Sequence, residues 1–587
     1  MANAHPTRPN VLQLLRARPS NRDGFEPRRA EAERSWNSLD QASDAYVAGL
    51  MQEIDAGRQD IRRSPIISNG DAVQIFAART SERQPDGLNN LLDAAANVVL
   101  RPSVFAWVPE RLFPGLQIAC PFCGAVCLST KWATPRKLHT TTRSLVYVTV
   151  KYRCRPCKAL AKNTVSNDTA DPHAKPKLAE RSFQADCPQL LSRLPHYVRD
   201  SWQLIDTGRI LCDASVLDMV RALATRTSWS AIADAINEMK TQAWQRIVAR
   251  PYLALCDMIG ECACVGDVAQ PDNDFLSAAW IRDVYMADFA SRRDALTAEL
   301  TQERGDDVLA VDWTVDAASR CGSKYLFNAM DGKKRILISS LMDTCHPQSV
   351  AHLMQSLAER GVQPKTLYVD CECCGAWARI AHRCWPSASV RLDGMHAIRR
   401  LTQTTTSTQH PWHEKFCAAL SGAVYTYDEE VLAKLQTAYR KQGLRGPLPG
   451  NIKSKYVPRV ITNARRIADA IDAVLQSFAT PHTQSGPLLT SATGEAWREL
   501  RRHVMHGCLC DPPGMHMHEL GEEIVVYGDK FRIVRTLRGT SALEGFHTHQ
   551  KAWLGNLARH AADAGAALLA DGAVRWNRKR KLAEQGV

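Results

Sequence analysis

The chain is short of long apolar runs: none approaches the roughly 20 residues that a membrane-spanning helix needs. Its opening, MANAHPTRPNVLQLLRARPS, lacks the uninterrupted apolar core and small-residue cleavage site of a secretory signal. A soluble, intracellular protein is therefore expected. That setting argues against a disulfide framework for the 19 cysteines and points to reduced thiols and metal sites. No internal repeat is evident. Acidic residues are the scarcer charge, 61 against 74 Lys and Arg, and the net +13 points to a polyanionic partner.

At 587 residues, 45% of them hydrophobic and 23% charged, the composition is that of an ordinary globular protein too long for one core. Three or four domains are expected. Residues 1–110 read as a flexible arm followed by an intermittently helical region that includes LNNLLDAAANVVL. Residues 111–165 hold CPFCGAVC, a β-branched and basic stretch with SLVYVTVKYR, and CRPC. Residues 166–304 read as helical, with SWSAIADAINEMKTQAWQRIVARPYL as two short helices about a turn, a candidate helix-turn-helix.

Residues 305–400 give the clearest pattern. DDVLAVD, SKYLFNAM and KKRILISSLM are three strands able to pair as a meander; SVAHLMQSLAERG is a helix, KTLYVD a strand, GAWARIAHRCW a helix and SVRLD a fifth strand. This is an α/β domain with a mixed sheet. Residues 401–535 read as helical, and residues 536–587 as a final helix with a basic tail, RWNRKRK, that fits a nuclear-import signal or a DNA contact.

Cys120 and Cys123 form one Cys-x-x-Cys pair, and Cys154 and Cys157 another. Two such turns complete a closed tetrahedral Zn²⁺ site at the ends of a small β-ribbon, a structural zinc rather than a catalytic one. Cys127 and His139 are alternates. Asp312, Asp370 and Asp393 each close an apolar strand, which is costly unless the carboxylate is paired, hydrogen-bonded or metal-bound. Taken singly, each also fits a helix or turn cap. In a ribonuclease-H-like sheet the first and fourth strands are neighbours, which brings Asp312 and Asp370 together, and Glu544 in TSALEGFHTHQ sits at the start of a helix able to supply a third carboxylate for two Mg²⁺ or Mn²⁺ ions.

The order Asp312, Asp370, Glu544, with an all-helical insertion before the glutamate, resembles eukaryotic DDE transposases of the hAT, Mutator-like and Kolobok-like groups. Asp393-Gly-Met-His396 matches their C/D-x-x-H signature. VRLDGMHAIRRL, GCLCDPPG and RGTSALEGFHTHQKAW also resemble a group of transposon-related eukaryotic proteins in which a zinc ribbon with a helical appendage precedes the catalytic-like region, and the likeness spans roughly residues 110 to 580. The resemblance implies a ribonuclease-H-like core, Asp312, Asp370 and Glu544 as metal ligands, and Asp393 and His396 as an accessory pair near the scissile phosphate. It further implies double-stranded DNA as partner, a homodimer or larger assembly and a nuclear location. The rival readings are a domesticated DNA-binding protein that no longer turns over, and a nuclease without joining activity.

Secondary candidates remain. His547 follows Glu544 at i+3 and fits either a phosphate contact or a packed histidine. Cys508, Cys510, His516 and His518 have spacing for a second zinc, although an incidental loop fits equally. Residues 439–466 lack acidic residues and carry Lys441, Arg445, Lys453, Lys455, Arg459, Arg465 and Arg466, suited to a phosphate backbone or to a solvated surface. Cys371, Cys373 and Cys374 have no Cys-x-x-Cys partner and read as small residues packed behind the carboxylates.

Overall fold

Strand β5 (Ser144–Arg153), SLVYVTVKYR, is rich in the β-branched and aromatic residues that suit a half-buried pleat, and it organises the first half of the chain. The computed structural model describes residues 44–57, 59, 61, 66–67, 103–159, 182–246, 275–461, 463–480, 486–554 and 562–585. The arm, LNNLLDAAANVVL, and residues 247–253 of the candidate helix-turn-helix lie outside the described residues. The chain divides into two compact units, unit 1 being Met1–Asp218 with Ala233–Trp280, and unit 2 being Met219–Ile232 with Ile281–Val587.

In unit 1, β5 lies in an eight-stranded sheet with β1 (Ile66–Ile67), β2 (Val104–Trp107), β3 (Leu128–Trp132), β4 (Arg136–His139), β6 (Ser182–Gln184), β7 (Leu204–Asp206) and β8 (Leu211–Asp213). The path runs β1-β2-β5-β4-β8-β7, with β3 and β6 also pairing β5. Trp107, Leu138, Tyr147, Val148 and Tyr152 are buried in its core. Three strands, β6 to β8, therefore fall where helix was expected. Each is three residues long, too short to display a period of two. The cysteine-bearing segment and the later strands share one sheet and one core.

Helices α1 (Ala214–Leu223) and α2 (Trp229–Trp244) follow. α2 is unbroken from Trp229 to Trp244, so among the described residues no turn divides WSAIADAINEMKTQAW. No Gly or Pro interrupts it, and Ile232, Ile236, Lys240 and Ala243 are buried at helical spacing.

In unit 2, α3 (Ala278–Gln302) leads into a five-stranded mixed sheet of β9 (Val308–Thr314), β10 (Tyr325–Asp331), β11 (Ile336–Met342), β12 (Thr366–Val369) and β13 (Ser389–Leu392). Its order is β11-β10-β9-β12-β13, antiparallel across the first three and parallel across the last three. Short α4 (Asp316–Arg320) follows β9. α5 (Ala351–Glu359) and α6 (Ala376–Cys384) make the crossovers, and α7 (Gly394–Thr402) follows β13.

Side chains alternate across β9, as the pleat requires. Leu309 and Val311 face a large core with Met354, Leu357, Trp377 and Ile380. Trp377 is fully buried. Val308 and Ala310 face a second core with Tyr368, Leu543 and Phe546. Asp312 is in register with that second face.

The insertion contains α8 (His413–Val424), α9 (Glu429–Lys441), α10 (Gly450–Tyr456), α11 (Ala464–Ala479) and α12 (Ser491–Met505). It is not all helical. β14 (Thr426–Tyr427) pairs β15 (Arg459–Val460), and β16 (His518–Val526) forms an antiparallel hairpin with β17 (Asp529–Thr536). Tyr527 and Gly528, both at positive φ, make the two-residue turn. Phe416, Leu420, Ile467, Ile471, Trp497 and Leu500 join the core that covers one face of the sheet, so the insertion is not a separate domain.

The chain closes on α13 (Ser541–Trp553) and α14 (Ala562–Glu584). Asn577 on α14 bonds both the N–H and the C=O of Ile336 on edge strand β11. RWNRKRK is thus part of a packed helix rather than a tail. Arg575 pairs with Asp571, Arg578 with Glu299 and Lys581 with Glu303, while Lys579 remains exposed.

Candidate functional site

In unit 1 the thiols of Cys120, Cys123, Cys154 and Cys157 converge, all four sulfurs lying within 4.8 Å of one another. Cys120 Sγ is 3.8 Å from Cys157, and Cys123 Sγ is 3.4 Å from Cys154. Four soft donors at this spacing are compatible with Zn²⁺. The N–H of Ala125 and the neighbouring thiols lower Cys123 to about 7, a surface group that readily becomes a thiolate. The two alternates take no part. Burial pushes Cys127 up to about 12, and its thiol donates to the Ala125 carbonyl. The His139 ring lies 3.0 Å from Lys240 Nζ.

In unit 2 the parallel pairs Thr366↔Val308, Leu367↔Leu309 and Tyr368↔Ala310 set β12 alongside β9, and the charge of Asp370, the first residue after β12, acts on Asp312. Asp312 is not at the end of its strand, which runs on to Thr314, and it is only 3% exposed. Its Oδ1 accepts the Trp313 N–H at 2.7 Å, while Oδ2 is buried without a hydrogen-bond partner among the described residues. Burial, reinforced by the charge of Asp370, lifts the Asp312 carboxyl to about 7.

Asp312, His396 and Glu544 form the second converging set, with ligand atoms within 4.8 Å of one another. His396 Nε2 is 3.5 Å from Glu544 Oε1. Asp370 is not in this set. Its charge raises both Asp312 and His396, and its backbone carbonyl accepts from Arg400 at 2.6 Å. A carboxylate–imidazole–carboxylate set of this kind is compatible with a metal ion.

Asp393 follows β13 and is the N-cap of α7, where Oδ1 accepts the His396 N–H at 2.7 Å. The same oxygen is 3.1 Å from His396 Nδ1, and Oδ2 accepts the Thr540 N–H at 2.8 Å. Burial opposes its ionisation, but the hydrogen bonds from His396 and Thr540 outweigh that and hold Asp393 below the ordinary carboxylate range. The bond to Asp393 in turn raises His396. Gly539 has φ +76°, and a Cβ there would collide with the Asp393 carboxylate; at Gly394 a Cβ would meet the Tyr425 hydroxyl. Gly394 of VRLDGMH and Gly539 of RGTSALEG are thus explained by close approach.

Glu544 enters from α13, whose face of Leu543, Phe546, His547 and Gln550 is buried. Gln550 and Asn328 exchange side-chain amide bonds of 3.0 and 2.8 Å, and Gln550 also donates to Ser339. Asn328 lies directly opposite Asp312 in the β9–β10 register. This buried amide pair pins α13 over Asp312. His547 Nδ1 is 3.9 Å from both Asp312 Oδ2 and Glu544 Oε2. Burial, with the nearby His396, lowers His547 to about 4, so its ring is neutral near pH 7.

The sequence reading missed Asn328, Gln550 and Thr540. All three are polar and fully buried, but burial is not legible without the partner. The second zinc set fails as grouped. His518 accepts from the Arg459 N–H and faces Arg538, and burial with that guanidinium lowers it to about 4; His516 is exposed. Cys508 instead meets Cys374, and Cys373 meets His503, so Cys373 and Cys374 are not mere packing. In the basic stretch Lys441, Arg445, Lys455, Arg459, Arg465 and Arg466 are exposed and Lys453 is half-buried; Arg459 and Lys453 lie over Tyr427. No protein-family model matches the chain, and no curated protein matches it at a significant level.

Proposed function

We propose that unit 2 is the phosphoryl-transfer domain of a DDE-type DNA transposase, or of a nuclease derived from one, built on a ribonuclease-H-like sheet. One observation carries the reading. A sheet of order β11-β10-β9-β12-β13 has Asp312 on its central strand, Asp370 beside it at the end of the parallel neighbour, and Glu544 delivered to the same face by a helix about 170 residues later. Dispersed carboxylates gathered in this way match the needs of metal-assisted attack on a phosphodiester.

The buried, unpartnered Oδ2 of Asp312 and its raised carboxyl both favour a nearby cation. The converging Asp312, His396 and Glu544 set suits Zn²⁺, whereas Asp312 and Glu544 with Asp370 make an oxygen-rich set suited to Mg²⁺ or Mn²⁺. When bound, such ions activate the attacking oxygen and stabilise the leaving one. Asp312, Asp370 and Glu544 would hold the ions. Asp393 raises His396, and the imidazole beside Glu544 would lie within reach of a phosphate oxygen.

The exposed cations of residues 441–466 would neutralise DNA phosphates and make binding salt-dependent. Cys120, Cys123, Cys154 and Cys157 would hold a structural Zn²⁺ in a ribbon-like hairpin. Holding two DNA ends calls for at least a dimer acting in the nucleus. The alternative, a DNA-binding protein without turnover, draws on the absence of Asp370 from the converging set. One assay separates the two. The full-length protein should nick supercoiled plasmid with Mg²⁺ or Mn²⁺, and Asp312→Asn and Glu544→Gln should each reduce the rate at least about a hundredfold. Equal rates in wild type and both variants would reject the mechanism, and plasmid binding without any metal-dependent nicking would favour the alternative.

A further inference from the structure

A third cluster lies at the end of β12 in unit 2. Immediately after Asp370 the chain makes a tight turn, with Glu372 at φ 48° and the Gly375 N–H donating to the Glu372 carbonyl at 2.9 Å. The turn sends Cys373 and Cys374 toward the C-terminal end of α12 and the loop after it. There Cys373 Sγ is 3.2 Å from His503 Nδ1, Cys374 Sγ is 3.5 Å from the same nitrogen, and Cys374 Sγ is 3.1 Å from Cys508 Sγ. The two vicinal sulfurs are 3.8 Å apart.

We propose that Cys373, Cys374, His503 and Cys508 form a second structural zinc site, of the three-cysteine, one-histidine type. With Zn–S near 2.3 Å and Zn–N near 2.0 Å, tetrahedral geometry separates ligand atoms by about 3.5–3.8 Å. The four ligand atoms lie within 4.8 Å of one another; the Cys373–Cys374 and Cys374–His503 separations match the tetrahedral values, while Cys373–His503 at 3.2 Å and Cys374–Cys508 at 3.1 Å are shorter. A lone buried cysteine behaves as a small hydrophobe; three thiols gathered with one imidazole, two of them against its Nδ1, do not need each other for packing. The donor set is soft and complete, so the metal would be closed to substrate. An entry path exists, since Cys374 is exposed and Cys373, Cys374 and Cys508 line a cavity of about 300 Å³.

The site would act as a staple. It ties the turn that carries Asp370 to the last helix of the insertion, and the Cys508 carbonyl accepts the Leu392 N–H at 2.8 Å, one residue before Asp393. This inference does not rest on the nuclease reading, because it needs only the four ligands.

The test is zinc content and thiol reactivity of the full-length protein, freed of loosely held metal by a brief chelator wash. Cys508→Ser should retain one zinc fewer per chain than wild type, whereas Cys510→Ser, two residues away and outside the cluster, should retain the full complement. In the zinc-loaded wild type, exposed Cys374 should alkylate at least tenfold more slowly than exposed Cys345, and equalise with it after stringent chelation. That comparison needs no variant to fold. Equal alkylation of Cys374 and Cys345 in loaded protein, unchanged zinc in Cys508→Ser, or a Cys374–Cys508 disulfide in the purified protein would overturn the proposal.

Discussion

The cysteine cluster of unit 1 and the carboxylate cluster of unit 2 solve opposite problems. The first gathers four thiols from two turns about 30 residues apart, and its donors satisfy a tetrahedral ion completely. The second gathers Asp312, His396 and Glu544 from a span of about 230 residues and leaves a buried carboxylate oxygen without a partner. A closed site can stabilise a fold; an open one stores unfavourable electrostatics that a cation and a substrate can relieve.

The largest predicted effect that sharpens this contrast is on the closed site. Cys157→Ser should release the unit 1 zinc and destabilise that unit by about 4 kcal/mol or more, since metal binding energy is folding energy in small sites. Melting followed by tryptophan fluorescence and zinc content reads both; an unchanged melting temperature with zinc retained would break the comparison.

The open site should respond in the other sense. Asp312 has a folded-state pKa of about 7 against an unfolded value near 3.9, so the folded state binds the extra proton. Its contribution to stability is therefore present at low pH and lost as pH rises from about 4 through about 7. Asp312→Asn, which removes the charge, should raise metal-free stability at pH 8 by about 2 kcal/mol while abolishing turnover, and should flatten the pH dependence across that window. Chemical denaturation at pH 5 and pH 8 checks it; a variant less stable at pH 8 would contradict the sign.

A smaller effect tests how α13 is held. Gln550→Leu should cost about 2 kcal/mol by leaving Asn328 unsatisfied, and Asn328→Leu with Gln550→Leu should recover most of that stability. Additive losses would show that the amide pair is not the clamp.

The strands of residues 305–400 were legible because five apolar runs of four to seven residues, the first three close in sequence and the last two each preceded by an amphipathic helix, admit few pairings. The cysteine pairs were legible because both ligands of each pair are local. The order Asp312, Asp370, Glu544 located the carboxylates, but Asp312 proved to lie inside β9, and His396 joined the converging set in place of Asp370. What was not legible is non-local. Cys374 and Cys508 are more than 100 residues apart, and only the packing of α12 shows that they meet. The hairpin β16–β17 was hidden because HELGEEIVV is largely exposed on both faces and so carries no clean alternation.

The most direct test of the central reading is Mn²⁺ binding to the full-length protein, measured by calorimetry or electron paramagnetic resonance across pH 5.5–8. Cation binding requires ionised Asp312, so apparent affinity should rise roughly tenfold per pH unit up to about 7 and level off above it. Asp312→Asn and Glu544→Gln should each weaken it at least tenfold. Binding that is independent of pH and unchanged in both variants would contradict the account.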